Sequence, residues 1–425
     1  MKHKAWGAAA ALGIALAGVA TSAGAHASGD PITLKFQSLA FQDSTIAATQ
    51  AIVDAWNTAN PDVQVEILQG SWDNASDQLT TQFAGGTAPD IIHFESAAIG
   101  GFAQQGYLAD LSPYLSDDVK ASVSDDIWAT VSTPDGAIIA APTLLQSYVV
   151  FANTDVFDAA GVAVPTGDTM TWDDFAALSK SLTNGDTFGL GWGLKSPTAT
   201  VMNLALGFDG TFFTTEGDTT SITVGDNELA VPQRIHDMAY VDKSLDPVSL
   251  TQSGGDVLPG FFGGTYAMYV GGNYIAQQIT ETGPEGFNWT VLPLLEGSAG
   301  TNQAANPQTL SVSSQSDHVE QAAAFVNFFM DAKNLASVAE GDWLIPSSGA
   351  AREQVATDTN GENSWPEILA SGDSLVAAPF QSAINYPQWK DQIATPALQQ
   401  YFADQIDLDS LQSQLTDGWA QVSGG

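Results

Sequence analysis

The chain has 425 residues, 11 Lys+Arg against 48 Asp+Glu, a formal net charge of −37 and no cysteine. A field this negative repels phosphate backbones and anionic lipid surfaces, so nucleic acid is excluded as an expected partner. Without cysteine there is no disulfide, thiolate nucleophile, Cys-ligated zinc or iron–sulfur cluster. Charged residues are only 14 % of the chain while 44 % are hydrophobic, so the imbalance reflects missing bases, and there is apolar material for two domains or one large one.

The N-terminus reads as a secretory signal peptide. Lys2 and Lys4 open it, Ala8 to Ala20 is apolar, and Ala25-His26-Ala27 is a small-x-small cleavage site, placing the signal at residues 1–27. Cleavage there removes two lysines and no acid, so the mature chain is more acidic still. The expectation is an exported, periplasmic protein without a cysteine-linked lipid anchor.

Ile32, Leu34 and Phe36 alternate as a short strand, and a helix is predicted over 44–57 with Ile46, Val53 and Trp56 on its buried side, stopped by Asn60-Pro61. Val63, Val65 and Ile67 form the next strand. After a second helix, Pro89-Asp90-Ile91-Ile92 is a buried strand leading to a third helix through Gly100-Gly101. This order argues for a parallel α/β layer with helices on its faces. Thr171-Trp172-Asp173-Asp174 starts a capped helix with Phe175, Leu178 and Leu182 inward. Asp317 to Glu320 is expected to cap another, with Ala322, Phe325, Val326 and Phe329 inward. From Gln381 to Val422 the pattern is mostly helical, punctuated by Pro387 and Pro396. Joints near 140–143, 297–307 and 345–349 are rich in Gly, Pro and Ser and mark crossings between domains.

No enzyme signature emerges. The nucleophile-elbow, P-loop and HExxH patterns are absent, and Gly189 to Gly193 lacks dinucleotide spacing. Asp358 to Glu362 faintly resembles a calcium loop, but its glycine falls at the fourth position instead of the sixth, so a polar turn is expected. Beyond the signal only His93, His236 and His318 remain, too dispersed for a histidine metal site, and no cofactor is expected. The arginines are Arg234 and Arg352 alone, which argues against an anionic ligand. What remains is aromatic and amide chemistry in predicted loops: Trp72-Asp73-Asn74, Phe94-Glu95-Ser96, Gly191-Trp192-Gly193, Gly272-Asn273-Tyr274, Asp342-Trp343, and further on Trp389. Aromatic faces cover the C–H surface of a sugar ring while amides and carboxylates bond its hydroxyls.

Four blocks in fixed order carry a resemblance. Gly85-Gly86-Thr87-Ala88-Pro89-Asp90-Ile91-Ile92 with Gly100 to Leu111 is the first, and Phe151 to Phe157 with Ala160-Gly161 and Thr171-Trp172-Asp173-Asp174-Phe175 the second. Phe262 to Met268 with Gly271-Gly272-Asn273-Tyr274 is the third, and Phe325 to Phe329 with Leu344-Ile345-Pro346 the fourth. Over nearly the whole mature chain the sequence resembles the family 1 extracellular solute-binding proteins of ABC importers, maltose-binding protein among them.

The resemblance implies a two-lobe α/β periplasmic-binding-protein fold with discontinuous lobes joined by three crossing segments, residues 31–142 plus 303–343 and residues 143–302 plus 344–425. It implies a ligand in the cleft, delivery to permease subunits, and a monomer. Carried over by position, it places Phe94 where sugar-binding members have Trp and Ala97-Ala98 where they have Asp-Arg, with Glu95 and Ser96 adjacent as replacements. Gln146 falls at a family carboxylate and Tyr274 at a stacking Trp. Gln42 and Asp43 lie in the loop after the first strand, where polar contacts are common. A neutral sugar or oligosaccharide is the expected ligand. A small cation such as a polyamine or betaine, a secreted glycan-active enzyme, and a sensory or adhesion protein remain as alternatives.

Overall fold

The computed structural model describes residues 31–216, 219–383 and 385–423; the expected signal peptide lies outside them. Two mixed sheets organise the chain. The first has five strands in the order Val63–Gln69, Ile32–Ser38, Ile91–Glu95, Gln308–Val312, Ala141–Pro142. Its first three are parallel, as the strand–helix alternation predicts, because each is linked to the next through a helix. Gln308–Val312 then runs antiparallel to Ile91–Glu95, Gln308 facing Glu95, although more than 200 residues separate them in sequence. The second sheet has the order Trp289–Val291, Tyr148–Asn153, Tyr266–Gly272, Phe188–Gly191, with Tyr266–Gly272 antiparallel to Tyr148–Asn153 and parallel to Phe188–Gly191.

Helix Asp43–Ala59 covers the first sheet with Val53 and Trp56 inward as expected, but its face is turned away from Ile46. Ile46 is exposed, and the buried line is Thr45, Thr49, Ile52, Val53 and Trp56. The reason is a neighbour remote in sequence: the hydroxyl of Thr45 bonds the Asp342 carboxylate, and Ser44 Oγ donates to Gly341 O at 2.8 Å, so a polar edge is turned inward. Helix Val319–Phe329 buries Ala322, Phe325, Val326 and Phe329 as predicted, and Phe325 meets Phe36 and Trp56 at 5.6 and 5.5 Å between ring centroids. Its N-cap is His318, with no side-chain capping bond, so the expected acidic cap does not form. Thr171 does cap Trp172–Leu182, its Oγ accepting from Asp174 N at 3.1 Å. Pro387 and Pro396 sit in the first turns of their helices, where a missing N–H costs nothing. Asp358 ends a helix, and Asn360 and Gly361 with positive φ turn the chain, as expected for a polar turn.

Three crossing segments are hydrogen-bonded to one another. Leu144–Leu145 pairs antiparallel with Ile345–Pro346, Ser347 N donates to Thr143 O at 2.9 Å, and Thr143 N donates to Gln308 O at 2.8 Å. Leu144, Leu145, Leu344 and Ile345 are all buried in one apolar cluster that runs on into both sheets. The crossings are thus a paired ribbon, not loose linkers.

In the second lobe, helix Trp172–Leu182 lies so close to strand Phe188–Gly191 that a Cβ on Gly189 would fall 1.9 Å from Ser179 O. Gly189→Ala is therefore expected to force helix and sheet apart and to lower stability by about 1–3 kcal/mol or more, read as a lower urea midpoint at unchanged m-value.

Candidate functional site

Between the lobes, over the crossing ribbon, lies a cavity of about 340 Å³. The first lobe supplies Phe41, Gln42, Trp72 and Glu95, the second Gln146 and Tyr274, and the segments at the crossings Leu144, Asn306, Gln308, Leu344 and Asp342, the last at the end of helix Ala332–Asp342. A second chamber of about 350 Å³ shares Trp72 and Glu95 with it and runs on to Asp73, Asp77, Tyr386 and Lys390. Both lobes thus contribute to one elongated cleft.

Each wall has a local cause. Trp72 opens a short helical turn after Ser71 and stacks on Phe94 (centroids 6.0 Å apart, planes 24°), so its indole is held at the cleft by a buried ring behind it. Glu95 ends strand Ile91–Glu95 at the N-cap position of helix Ser96–Gln104, yet makes no side-chain capping bond. Instead its carboxylate accepts from Asn306 Nδ2 at 3.0 Å and faces the cavity. Asn306 is fixed in turn because its Oδ1 accepts from both Ser96 Oγ and Ala97 N at 3.0 Å. Tyr274 folds back over the end of its strand, a placement only glycine permits at 272, where a Cβ would meet the ring at 2.4 Å.

A polar relay passes beneath the cavity. The imidazole of His93 accepts from Leu39 N through Nδ1 (3.1 Å), which puts its proton on Nε2, and Nε2 donates to Gln308 Oε1 (2.9 Å). The amide of Gln308 is thereby turned to donate to Asp342, whose other donor is Thr45. Burial pushes the Asp342 carboxyl up from its usual range, while burial pulls His93 down to about 4, so His93 is neutral and the relay keeps one polarity. On the opposite wall burial raises the Tyr274 phenol and pushes its neighbour Tyr148 up to about 12, so both remain donors at neutral pH.

Of the residues read from sequence, Gln42, Trp72, Glu95, Gln146 and Tyr274 line the first chamber and Phe94 the second. Ser96 is buried behind Glu95, bonded to Asn306. Asp43 is exposed on the first turn of its helix and lines neither chamber. Trp192 and Trp389, 1 % exposed each, are placed in the core: Trp192 stacks on Trp172 at 6.3 Å, and Trp389 meets Phe213 at 5.1 Å and donates to Leu415 O at 3.0 Å. Trp343 lies against Trp365 (5.0 Å, 23°) in the third crossing, in the left-handed region at φ 53°. Asn273 is fully buried and braces the crossings, its Oδ1 accepting from Ser147 N and its Nδ2 donating to Trp343 O at 2.7 Å.

Phe41, Asn306 and Gln308 were not anticipated, and Asp342 was named only as the neighbour of Trp343. Asn306 sat within the predicted second joint and Asp342 beside Trp343, so a polar residue at a crossing was the signal available.

The profile of the bacterial extracellular solute-binding proteins matches residues 42–336. The chain belongs to that family. The family expected from the four sequence blocks is therefore borne out, and its members are binding proteins, not enzymes. An uncharacterized lipoprotein from the oleD 5′ region of Streptomyces antibioticus is 41 % identical over 387 residues, spanning 90 % of this chain and 85 % of its own. In structure, this solute-binding protein is similar to the substrate-binding protein Lmo0181 of Listeria monocytogenes, solved with cycloalternan (TM-score 0.77, 21 % identity, 93 % of this chain and all of that one). It is also similar to the GacH receptor of Streptomyces glaucescens, solved unliganded and with acarbose (TM-score 0.75, 20 % identity, 92 % and 98 % coverage). At such identity these structures establish the two-lobe fold.

The buried histidine sets a pH dependence. With His93 at about 4 when folded and near 6.5 when unfolded, the unfolded chain binds the extra proton between those values. The stability this group contributes is complete above pH ~6.5 and falls as pH drops toward 4, by on the order of 3 kcal/mol. Asp342, raised by burial, works in the opposite sense. His93→Gln is expected to flatten the fall in melting temperature across this window, measured by calorimetry at half-unit pH steps.

Proposed function

We propose that this chain captures a sugar or oligosaccharide in the cleft between its lobes and delivers it to the permease subunits of an ABC importer. The observation that carries this reading is the composition of the first chamber. Three aromatic rings, Phe41, Trp72 and Tyr274, share it with four amides, Gln42, Gln146, Asn306 and Gln308, and two carboxylates, Glu95 and Asp342. Rings cover the apolar faces of a pyranose, and convergent amides and carboxylates bond the hydroxyls around its edge. Structural similarity to proteins solved with cycloalternan and acarbose supports the same class.

Gln42, Trp72, Phe94, Glu95, Gln146 and Tyr274 are the contacts we assign first, with Asn273, Trp343 and Ser96 holding them in place. Trp192, Trp389 and Asp43 have no assigned contact with the ligand in this arrangement. The lobes would be residues 31–142 with 303–343 and residues 143–302 with 344–425. The pairing of Gln303-Ala304 with Leu375-Val376 supports counting those two residues with the second lobe and moving that boundary from 303 to about 305–307. Capture follows from differential affinity: a ligand touching both walls stabilises the closed arrangement by what it gains there. The chain would act as a monomer, exported, with the cysteine-free sequence supporting release without a thioether-linked lipid.

A thermal-shift screen over mono- and oligosaccharides, polyamines and betaines tests this reading. Carbohydrates are expected to raise the melting temperature; a response confined to polyamines or betaines, or turnover of a glycan on incubation, refutes it. Tyr274→Ala should weaken binding of the best carbohydrate about tenfold or more, from loss of one ring face, with little change in folding stability. Unchanged affinity removes Tyr274 from the site.

A further inference from the structure

We propose that the carbohydrate this cleft accepts carries a protonated amine, held by the carboxylates of Glu95 and Asp342 among the rings of Phe41, Trp72 and Tyr274. This rests on the carbohydrate reading above and narrows it to amino sugars and amine-linked oligosaccharides.

Charge accounting inside the cleft leads to it. Glu95 and Asp342 line the same chamber, and their donors are neutral: Asn306 for Glu95, Thr45 and Gln308 for Asp342. No Lys or Arg is among the residues lining that chamber, and the nearby imidazole of His93 is kept neutral by burial. Both arginines are committed elsewhere, Arg234 to Asp173 at 3.7 Å and Arg352 to Asp373 at 2.9 Å. The adjoining chamber adds Asp73 and Asp77 against the single Lys390. Asp342 is already buried, and closing the lobes on a neutral ring would withdraw the half-buried Glu95 carboxylate from water as well with no counter-charge, which is among the costlier events in a protein interior. An ammonium on the ligand supplies that charge.

The aromatic content adds to the charge argument. Ring faces attract an ammonium through their quadrupole, so the three aromatic residues that cover sugar faces beside two carboxylates also suit an ammonium carried by the sugar. Phe41 strengthens the case. It is 61 % exposed at the cleft wall, an apolar cost in the unliganded protein that contact with a ligand would offset. The relay from Leu39 through His93 and Gln308 fixes Asp342 in place, so the carboxylate is oriented before the ligand arrives.

Calorimetric titration of the full chain with matched pairs provides the test: glucosamine oligomers against their N-acetylated forms, and amino-deoxy maltooligosaccharides against the hydroxyl parents. The amine is expected to bind at least tenfold more tightly than its uncharged partner, a difference of about 1.4 kcal/mol. Glu95→Gln and Asp342→Asn should each reduce that ratio, and together bring it near unity, the ratio and not the affinity of either partner alone being the readout. Because Asp342 also bonds Thr45, circular dichroism and melting of each variant accompany the titration, and Glu95→Gln carries the test alone if Asp342→Asn unfolds. Equal affinity for both members of a pair, or an amine preference undiminished in Glu95→Gln, overturns this proposal and leaves the carbohydrate reading standing. Failure of every carbohydrate, charged or not, overturns both.

Discussion

The hydrogen-bonded ribbon of three crossing segments is the constraint on which the rest depends. Thr143 donates to Gln308 and accepts from Ser347, so backbone atoms from three distant parts of the chain meet within one residue's reach. Such bonds are shielded by Leu144, Leu145, Leu344 and Ile345, and buried backbone groups that lost them would be left unpaired at a cost of about 1–3 kcal/mol each. Because the ribbon is continuous with both sheets, it sets where the two walls of the cleft stand. Asn273 extends the same constraint, tying Ser147 of the first crossing to Trp343 of the third, one residue before the tyrosine that faces the cavity.

The cleft is equipped from what the cores leave over. Most of the large aromatic residues are buried: Phe36, Phe325 and Trp56 fill the first lobe, and Trp172, Trp192, Phe213 and Trp389 the second. Each such ring is worth about 1.5–3 kcal/mol to folding, and that demand is met first. The rings that reach the cleft do so because something local turns them outward: a helical turn on Trp72, the missing side chain of Gly272 under Tyr274, the exposed loop at Phe41. Their polar partners come from segments at or beside the crossings, which is why Asn306, Gln308 and Asp342 converge on one chamber while lying far from the first-lobe wall in sequence.

Much of the first lobe was legible. Alternation in Ile32 to Phe36 and Val63 to Ile67 predicted strands that are there, and the parallel order followed from the helices between them. The capped helix at Thr171 and the apolar stripe at Ala322 to Phe329 were equally plain. Helix Asp43–Ala59 shows where that legibility ends. Periodicity chose Ile46, but the buried face is set by Gly341 and Asp342, residues nearly 300 positions away that admit a threonine edge and not an isoleucine. Among the site residues, those read from a family position beside a strand end, such as Glu95, Gln146 and Tyr274, reached the cleft. Those read from an aromatic next to glycine, such as Trp192, went to the core.

By itself the sequence determined the chemistry open to this protein and the class of its fold. Composition is a property of the whole chain, so the lack of cysteine, the scarcity of arginine and the net charge of −37 hold in any conformation. Periodicity is local, so strands and helices could be read within a window of a dozen residues. Tertiary structure alone decided which aromatic residues face the cleft, which amides orient its carboxylates, and that Gln308–Val312 would close the first sheet antiparallel. Those outcomes depend on contacts between segments separated by hundreds of residues, where burial and backbone pairing compete across the whole molecule and no short stretch carries the answer.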